Sequence, residues 1–374
     1  MTDQKTGRCT AAMAAILAIV FALAGCSTPT DTASPDSAST TATTSNLVLA
    51  VASNGNIYTI NPASGTASSS ALLSVGQKDA AGIAISDNVV YVAIPQNAAS
   101  PGLYIIDLSK TSPSAKRYFS EGTNGLTLNN GIVYAAVGDT SRSQTSGSTT
   151  QYSIGGVRCV SLSSSSYYSS SFLGCPKFGV AAGYDAAGQR YLVRPEKSIG
   201  LASLNGGGNY YDCIQGTKTY QFASAVYPSS VLGGTYNGTA GIFVGCICSP
   251  SVGTDDELIF IPSDATVPSI PTDVTPLIMG TPCTRLAAFD TTHLIMVGVG
   301  GVSIVTLEGS VAAARQIDST VNATDVVVYN GTAYIAGGTG LIYTATVSST
   351  SLGSISVGSS SDTFTAVGEG SVTR

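Results

Sequence analysis

The 374-residue chain has no tryptophan, a single histidine (His293), and charged side chains at only 10% of its positions. Each shortage removes a class of chemistry. One histidine cannot build a His cluster for a metal, and it leaves one candidate base for a Ser-His-Asp arrangement. No Gly-x-Ser-x-Gly elbow accompanies it. The few charges lean acidic, 16 Lys and Arg against 22 Asp and Glu. Nucleic acid and anionic lipid surfaces are recognised through basic patches, so this balance argues against both. The surface must be covered largely by Ser, Thr, Asn, Gln and Gly. Helical periodicity is absent after the first 25 residues, which leaves an all-β chain.

What is present begins with an export signal. Lys5 and Arg8 precede an apolar run, Ala11 to Ala22, which closes on Leu23-Ala24-Gly25-Cys26. A charged head, an apolar middle and small residues before a cut describe a secretory signal peptide. The run falls short of the roughly 20 apolar residues needed to span a bilayer. The Leu-Ala-Gly-Cys ending resembles the lipobox of bacterial lipoproteins. That resemblance implies removal of residues 1–25 and acylation of Cys26 (palmitate among the acyl groups), which makes the membrane a partner through the lipid. Ser27 is not the Asp that resembles an inner-membrane retention signal, so the outer membrane is favoured where the cell has one. Losing Lys5, Arg8 and Asp3 leaves 14 basic and 21 acidic residues, a net charge of −7. Residues 26–45 hold the lipidated Cys26 and a Ser/Thr-rich stretch without apolar residues to offset its ordering entropy. They read as a flexible tether, up to about 60 Å when extended. The globular part is expected over 46–374.

Within it a motif recurs. Gly82-Ile83-Ala84-Ile85-Ser86-Asp87-Asn88-Val89-Val90-Tyr91-Val92-Ala93 matches the segments from Gly125 to Ala136 and from Asp325 to Ala336, with a looser copy from Arg285 to Val297. Each copy is a strand, a turn of Asn, Asp or Gly, and a second strand; those turn residues tolerate the positive φ of tight hairpins. A third strand (Leu103 to Asp107, Gly301 to Val305, Gly340 to Thr344) and a weaker fourth follow. Four antiparallel strands every 40–50 residues or so are the signature of β-propeller blades. Inner strands are expected near 81, 125, 179, 222, 285 and 325. The N-terminal segment from Leu47 lacks a first strand, and Thr363 to Val367 is a lone strand at the other end. The C-terminal strand is therefore expected to complete the first blade and close a seven-bladed ring without open edges. Degenerate blades 4 and 5 leave six or eight as alternatives. These segments resemble exported bacterial seven-bladed propellers with short YVTN-like or LVIVD-like blades. The resemblance spans nearly all of 46–374 and implies architecture only; the tryptophan-docking signatures of quinoprotein propellers and the WD dipeptide are absent.

Six cysteines remain in the mature fold: Cys159, Cys175, Cys213, Cys246, Cys248 and Cys283. An even number in an exported protein predicts disulfides, with 15 possible pairings. Cys159 with Cys175 is the favoured pair, and either Cys246 or Cys248 is expected to reach Cys283. Asp87 and Asp290 sit in hairpin turns, where Asx side chains bond the local backbone, while Asp325 heads an inner strand and faces a possible channel site. The other inner strands begin with Gly82, Gly125, Gly179 and Arg285, a poor cation cage. No cofactor is called for. Blades 3–5 hold all six cysteines, the longest insertions and a set of tyrosines among Ser, Gly and Asn: Tyr152, Tyr167, Tyr168, Tyr210, Tyr211 and Tyr236, with Tyr220 and Tyr227 nearby. Rigid aromatic anchors among small polar neighbours characterise adaptable binding surfaces.

The expected function is thus a lipid-anchored envelope module that binds or scaffolds a protein through the loops of blades 3–5, and not an enzyme. A lectin-like propeller binding a glycan or polymer is the alternative, and a metal-channel hydrolase of lactonase-like type is a weaker one. The anchor is directly testable. Palmitate should label the wild-type protein in its native cells and fail to label Cys26→Ser, which should leave the membrane fraction. Retained labelling would refute the assignment of Cys26.

Overall fold

The computed structural model describes residues 44–373, apart from 130–131, 147–148, 162–166, 171–181, 185–189, 195–197, 204–214, 222–225, 249–255 and 263–276. The signal segment, Cys26 and the expected tether up to residue 43 lie outside the described residues, as do Cys175, Cys213, Tyr210 and Tyr211.

The described strands form seven antiparallel sheets. Six have four strands in sequence order. Blade 2, for example, runs Gly82–Ser86, Val89–Ile94, Gly102–Asp107 and Lys116–Phe119. Blades 3 to 7 start at the inner strands Thr123–Asn129, Ala182–Tyr184, Val226–Tyr236, Arg285–Ala288 and Asp325–Tyr329. Blade 1 takes its inner strand from the other end of the chain: Phe364–Thr373 pairs with Thr44–Ala52, register Val48 to Glu369 and Ala50 to Val367. Each inner strand neighbours the next around the whole series, including the closing strand against blades 7 and 2. The chain is a β-propeller, and the expected all-β, ring-closed architecture holds. The first strand begins at Thr44, two residues ahead of the expected globular boundary.

The hairpin turns form for the reason read from the sequence. Asp87-Asn88, Asn237-Gly238 and Asn330-Gly331 all have positive φ at both central residues. That is the type I′ turn, whose twist matches its flanking strands. Asp290 acts as an Asx cap, its Oδ1 accepting the amides of Thr292 (2.7 Å) and His293 (2.8 Å).

Second strands are buried without alternation: all but the first residue of Val89–Ile94, His293–Gly298 and Thr332–Ala336 is inaccessible. Both faces are covered, one by each neighbouring blade. Leu49 and Val51 pack toward blade 2 with Ile83, Val90 and Val92, whereas Val48, Ala50 and Ala52 pack toward blade 7 with Tyr334 and Ala336. Likewise Leu294 and Met296 join Phe243 and Leu258 of blade 5, while Ile295 and Val297 join Ala333 and Ile335 of blade 7. Successive strand residues point to opposite faces, so one apolar run feeds two cores. Outer strands such as Gly353–Ser356 are mostly exposed.

The closing strand is held at both ends. Near its start the buried Asp362 accepts hydrogen bonds from the Tyr58 hydroxyl (2.6 Å), the Asn54 side-chain amide (2.7 Å) and the Ser359 amide (3.1 Å). The Tyr58 ring meets Phe364 edge-on. At its end, Thr373 exchanges two hydrogen bonds with the Asn88 side chain of blade 2. A buried hydroxyl on the third strand of blade 6, that of Ser303, is fully inaccessible and has no hydrogen-bond partner.

These two buried polar residues predict opposite effects. Asp362→Ala strands the buried Tyr58 hydroxyl and should cost about 1–3 kcal/mol, whereas Ser303→Ala removes an unsatisfied group and should be neutral or stabilising. Urea unfolding of the two variants checks both. A neutral Asp362→Ala would remove the latch from the account of closure.

Candidate functional site

A cavity of about 390 Å³ lies where the inner strands converge. Its walls come from blades 1, 2, 3, 5, 6 and 7, so it is the central channel of the ring. The half-buried Leu126, Leu128 and Val327 supply apolar wall, while Ile83, Val326 and Val367 turn into the cores between blades, and Ser230 and Thr127 supply hydroxyls. Among the described lining residues three carry charge: Arg285, Asp325 and Glu369.

Topology places the first two. Gly82, Gly125, Arg285 and Asp325 are equivalent positions, at or near the start of their inner strands opposite Ala93, Ala136, Val297 and Ala336. Blades 6 and 7 adjoin, so the guanidinium and the carboxylate meet at one end of the channel, Arg285 Nε to Asp325 Oδ1 at 3.8 Å. The backbone satisfies much of the remainder. Arg285 Nη1 donates to the carbonyls of Ser229 and Thr284, both at 3.2 Å. Asp325 accepts the Val326 and Val367 amides, both at 3.0 Å. Leu286 N–H adds a bond to the Ser230 hydroxyl at 3.1 Å. The result is a polar belt from blade 5 through 6 and 7 to the closing strand of blade 1. Burial pushes the Asp325 carboxyl up to about 6, although the Arg285 charge and both amides pull the other way.

Glu369 is of a different kind. It follows Val367 on the closing strand, it is exposed to the channel, and no cation or hydrogen-bond donor faces it among the described residues. Partial burial raises its carboxyl above the ordinary range. The glycines on either side explain its placement. A Cβ on Gly368 would stand 2.4 Å from the Ile83 carbonyl oxygen, and one on Gly370 would stand 1.9 Å from Ile85 Cγ2. The closing strand therefore lies directly against blade 2 and carries Glu369 in at the channel wall.

No metal centre emerges: among the described residues no three His, Cys, Asp or Glu side chains come together. His293 opens the second strand of blade 6, with Nδ1 3.0 Å from both Asp290 oxygens and 3.1 Å from Thr292 Oγ1. Hydroxyl and carboxylate address the same ring nitrogen, so this is turn chemistry and not a relay through both nitrogens.

One expected feature, a disulfide to Cys283, is corrected. Cys246 and Cys283 are both buried thiols, and no disulfide joins them. The Cys283 sulfur packs against the Gly245 side of the strand, where an added Cβ would stand 2.4 Å away. The Cys246 side chain leaves from the opposite face. Burial, then the Asp256 charge, pushes the Cys283 thiol well above its ordinary value despite a hydrogen bond from the Cys246 amide. Tyr236 donates its hydroxyl to the Ser310 carbonyl, and its ring packs edge-on against Phe243 and Phe260. It ends its inner strand, at the opposite end of the ring from Arg285 and Asp325, beside a second cavity of about 310 Å³. Tyr167 and Tyr168 belong to the outer strand of blade 3, in register with Val160 and Cys159, and not to a loop. Tyr152 sits in the adjoining hairpin opposite Ser143, and Cys248 ends the second strand of blade 5.

No protein-family model matches the chain, and no curated protein sequence matches it. Solved structures similar to it include apo AztD from Citrobacter koseri, at 10% identity and TM-score 0.45, covering 87% of this chain and 89% of that one. The computationally designed Ika8 protein is similar at 10% identity and TM-score 0.49, with 86% of each chain covered. The Dos1 propeller is similar at 9% identity and TM-score 0.46, covering 73% of this chain and 70% of that one. The likeness is one of fold, and no site residue transfers from it.

The raised Asp325 carboxyl gives a signed prediction. Its folded value lies above that of an unfolded carboxyl, about 3.9, so between about pH 4 and pH 6 the folded state holds the extra proton. This group's contribution to stability is present below that window and lost as pH rises through about 6. Asp325→Asn should therefore gain stability relative to wild type as pH rises from about 4 to about 6 and hold that gain above, read as the difference in Tm. A difference independent of pH would show that Asp325 is not buried as described.

Proposed function

We propose that the chain is a lipid-anchored binding module of the cell envelope that scaffolds a protein partner on the face formed by blades 3–5. The observation that carries this reading is the hairpin of blade 3. Its strands, Ile132–Ser146 and Thr149–Ser161, are 15 and 13 residues long, whereas the second strands of blades 2, 6 and 7 have 5 or 6. The inner strand supports them only as far as Val137. Pairing then continues from Gly138 opposite Gly155 to Ser146 opposite Thr149. The first strand bulges between Asp139 and Ser143, so the overhang is set by the seven facing residues from Thr149 to Gly155, about 23 Å at 3.3 Å per residue. It leaves the ring at the end where the inner strands begin, the same end as Arg285 and Asp325.

A ring fixed by seven interlocked sheets offers a rigid platform, and an overhanging hairpin with Tyr152 gives it an arm. Rigidity lowers the ordering cost of binding, and a tyrosine among Ser, Thr and Gln is a low-entropy anchor. The lipid on Cys26 and the tether supply the envelope address. Pairing of the remaining cysteines would brace the same sector.

The test is a crosslinking pull-down from native cells, comparing wild type with a variant in which residues 140–153 are replaced by an Asn-Gly turn. The expected result is a stoichiometric protein partner on wild type and its loss from the variant, with an unchanged Tm. A partner held equally by both proteins, or no partner on either, would overturn the scaffold reading.

A further inference from the structure

We propose that the central channel is a binding site for a small organic cation with an apolar body, an amine of the alkyl or arylalkyl class, whose ammonium group the Glu369 carboxylate holds. This site is the interior of the ring and does not depend on the scaffold reading. Three observations converge on it.

The first is space and lining. The cavity of about 390 Å³ falls within the range of small-molecule sites, and the half-buried Leu126, Leu128 and Val327 are among its described walls. Gly82, Gly125 and Gly368 also line it.

The second is charge. Arg285 and Asp325 offset one another, and their polar atoms are further engaged by the Ser229 and Thr284 carbonyls and the Val326 and Val367 amides. Glu369 has no such partner among the described residues, so the described channel carries one uncompensated negative charge. Low-dielectric walls focus such a field into the cleft. An anion would meet the Glu369 charge and find Arg285 already engaged.

The third is the kind of cation. A bare metal ion needs several oxygen ligands, and no group of three metal-ligating side chains occurs among the described residues. Both oxygens of Asp325 already accept backbone amides. One accessible carboxylate beside an apolar wall instead matches an ammonium group on a hydrocarbon body. The ammonium donates a charge-assisted hydrogen bond to the Glu369 carboxylate, and the body removes apolar wall from water.

Isothermal titration of the purified protein with phenethylamine, 2-phenylethanol and phenylacetate tests the assignment, since the three differ chiefly in head-group charge. The amine is expected to bind, with the alcohol about tenfold weaker or worse and phenylacetate weakest. Glu369→Gln should weaken amine binding by about tenfold with no loss of Tm, because Glu369 makes no contact that holds the fold, while Glu369→Asp should keep the preference for the amine. Amine binding undiminished in Glu369→Gln, phenylacetate bound more tightly than the amine, or no amine binding at millimolar concentration would each overturn the proposal.

Discussion

Everything in this fold depends on the absence of a core inside any single blade. The second strands of blades 2, 6 and 7 are buried along almost their whole length, and successive residues of such strands belong to two different cores. Val48 and Ala50 pack toward blade 7 while Leu49 and Val51 pack toward blade 2. A blade alone would leave one of those faces in water, at about 1.5–3 kcal/mol for each large aliphatic side chain left uncovered. Burial on both sides is complete only when every blade has two neighbours, and that requires a closed ring.

Closure is consequently the event that both stabilises the protein and creates its interior. The last strand of the chain fills the vacancy on blade 1, pairing with the first. It is pinned at one end by the Asp362, Tyr58 and Asn54 cluster and at the other by Asn88. Two glycines let it approach blade 2 more closely than any side chain would allow. The same strand contributes the Val367 amide to Asp325 and sets Glu369 in the channel. Stability and the electrostatics of the channel thus share one element.

Much of this was legible from local patterns. Asn330-Gly331 and Asp87-Asn88 announce two-residue turns with positive φ, and both form them. The repeat placed inner strands within about four residues of those observed, and the complementary deficits at the two ends foretold the closing strand. Other features were not legible. Gly368-Glu369-Gly370 reads locally as a strand terminator, so the last strand was expected to stop at Val367 and Glu369 went unremarked; the strand continues to Thr373. The glycines are there for a close approach to Ile83 and Ile85, residues about 285 positions away in sequence. Aligning the closing strand with the other inner strands would have been the signal that exposed Glu369. The contacts of Tyr236 with Phe243, Phe260 and Ser310 likewise could not be read from its local composition.

By itself the sequence determined what is local and repeated: strands rather than helices, the hairpin turns, the four-stranded blade and the need for a strand from the far end. Backbone propensity and side-chain alternation act over a few residues, and repetition multiplies a weak signal into a clear one. Tertiary structure alone decided which unlike residues meet. Arg285 and Asp325 face each other because blades 6 and 7 adjoin at equivalent positions, forty residues apart. Cys246 and Cys283 come within a hydrogen bond and still leave their sulfurs on opposite sides of a strand. Such pairings follow from ring geometry and the burial it imposes, which no stretch of the chain contains until the ring is closed.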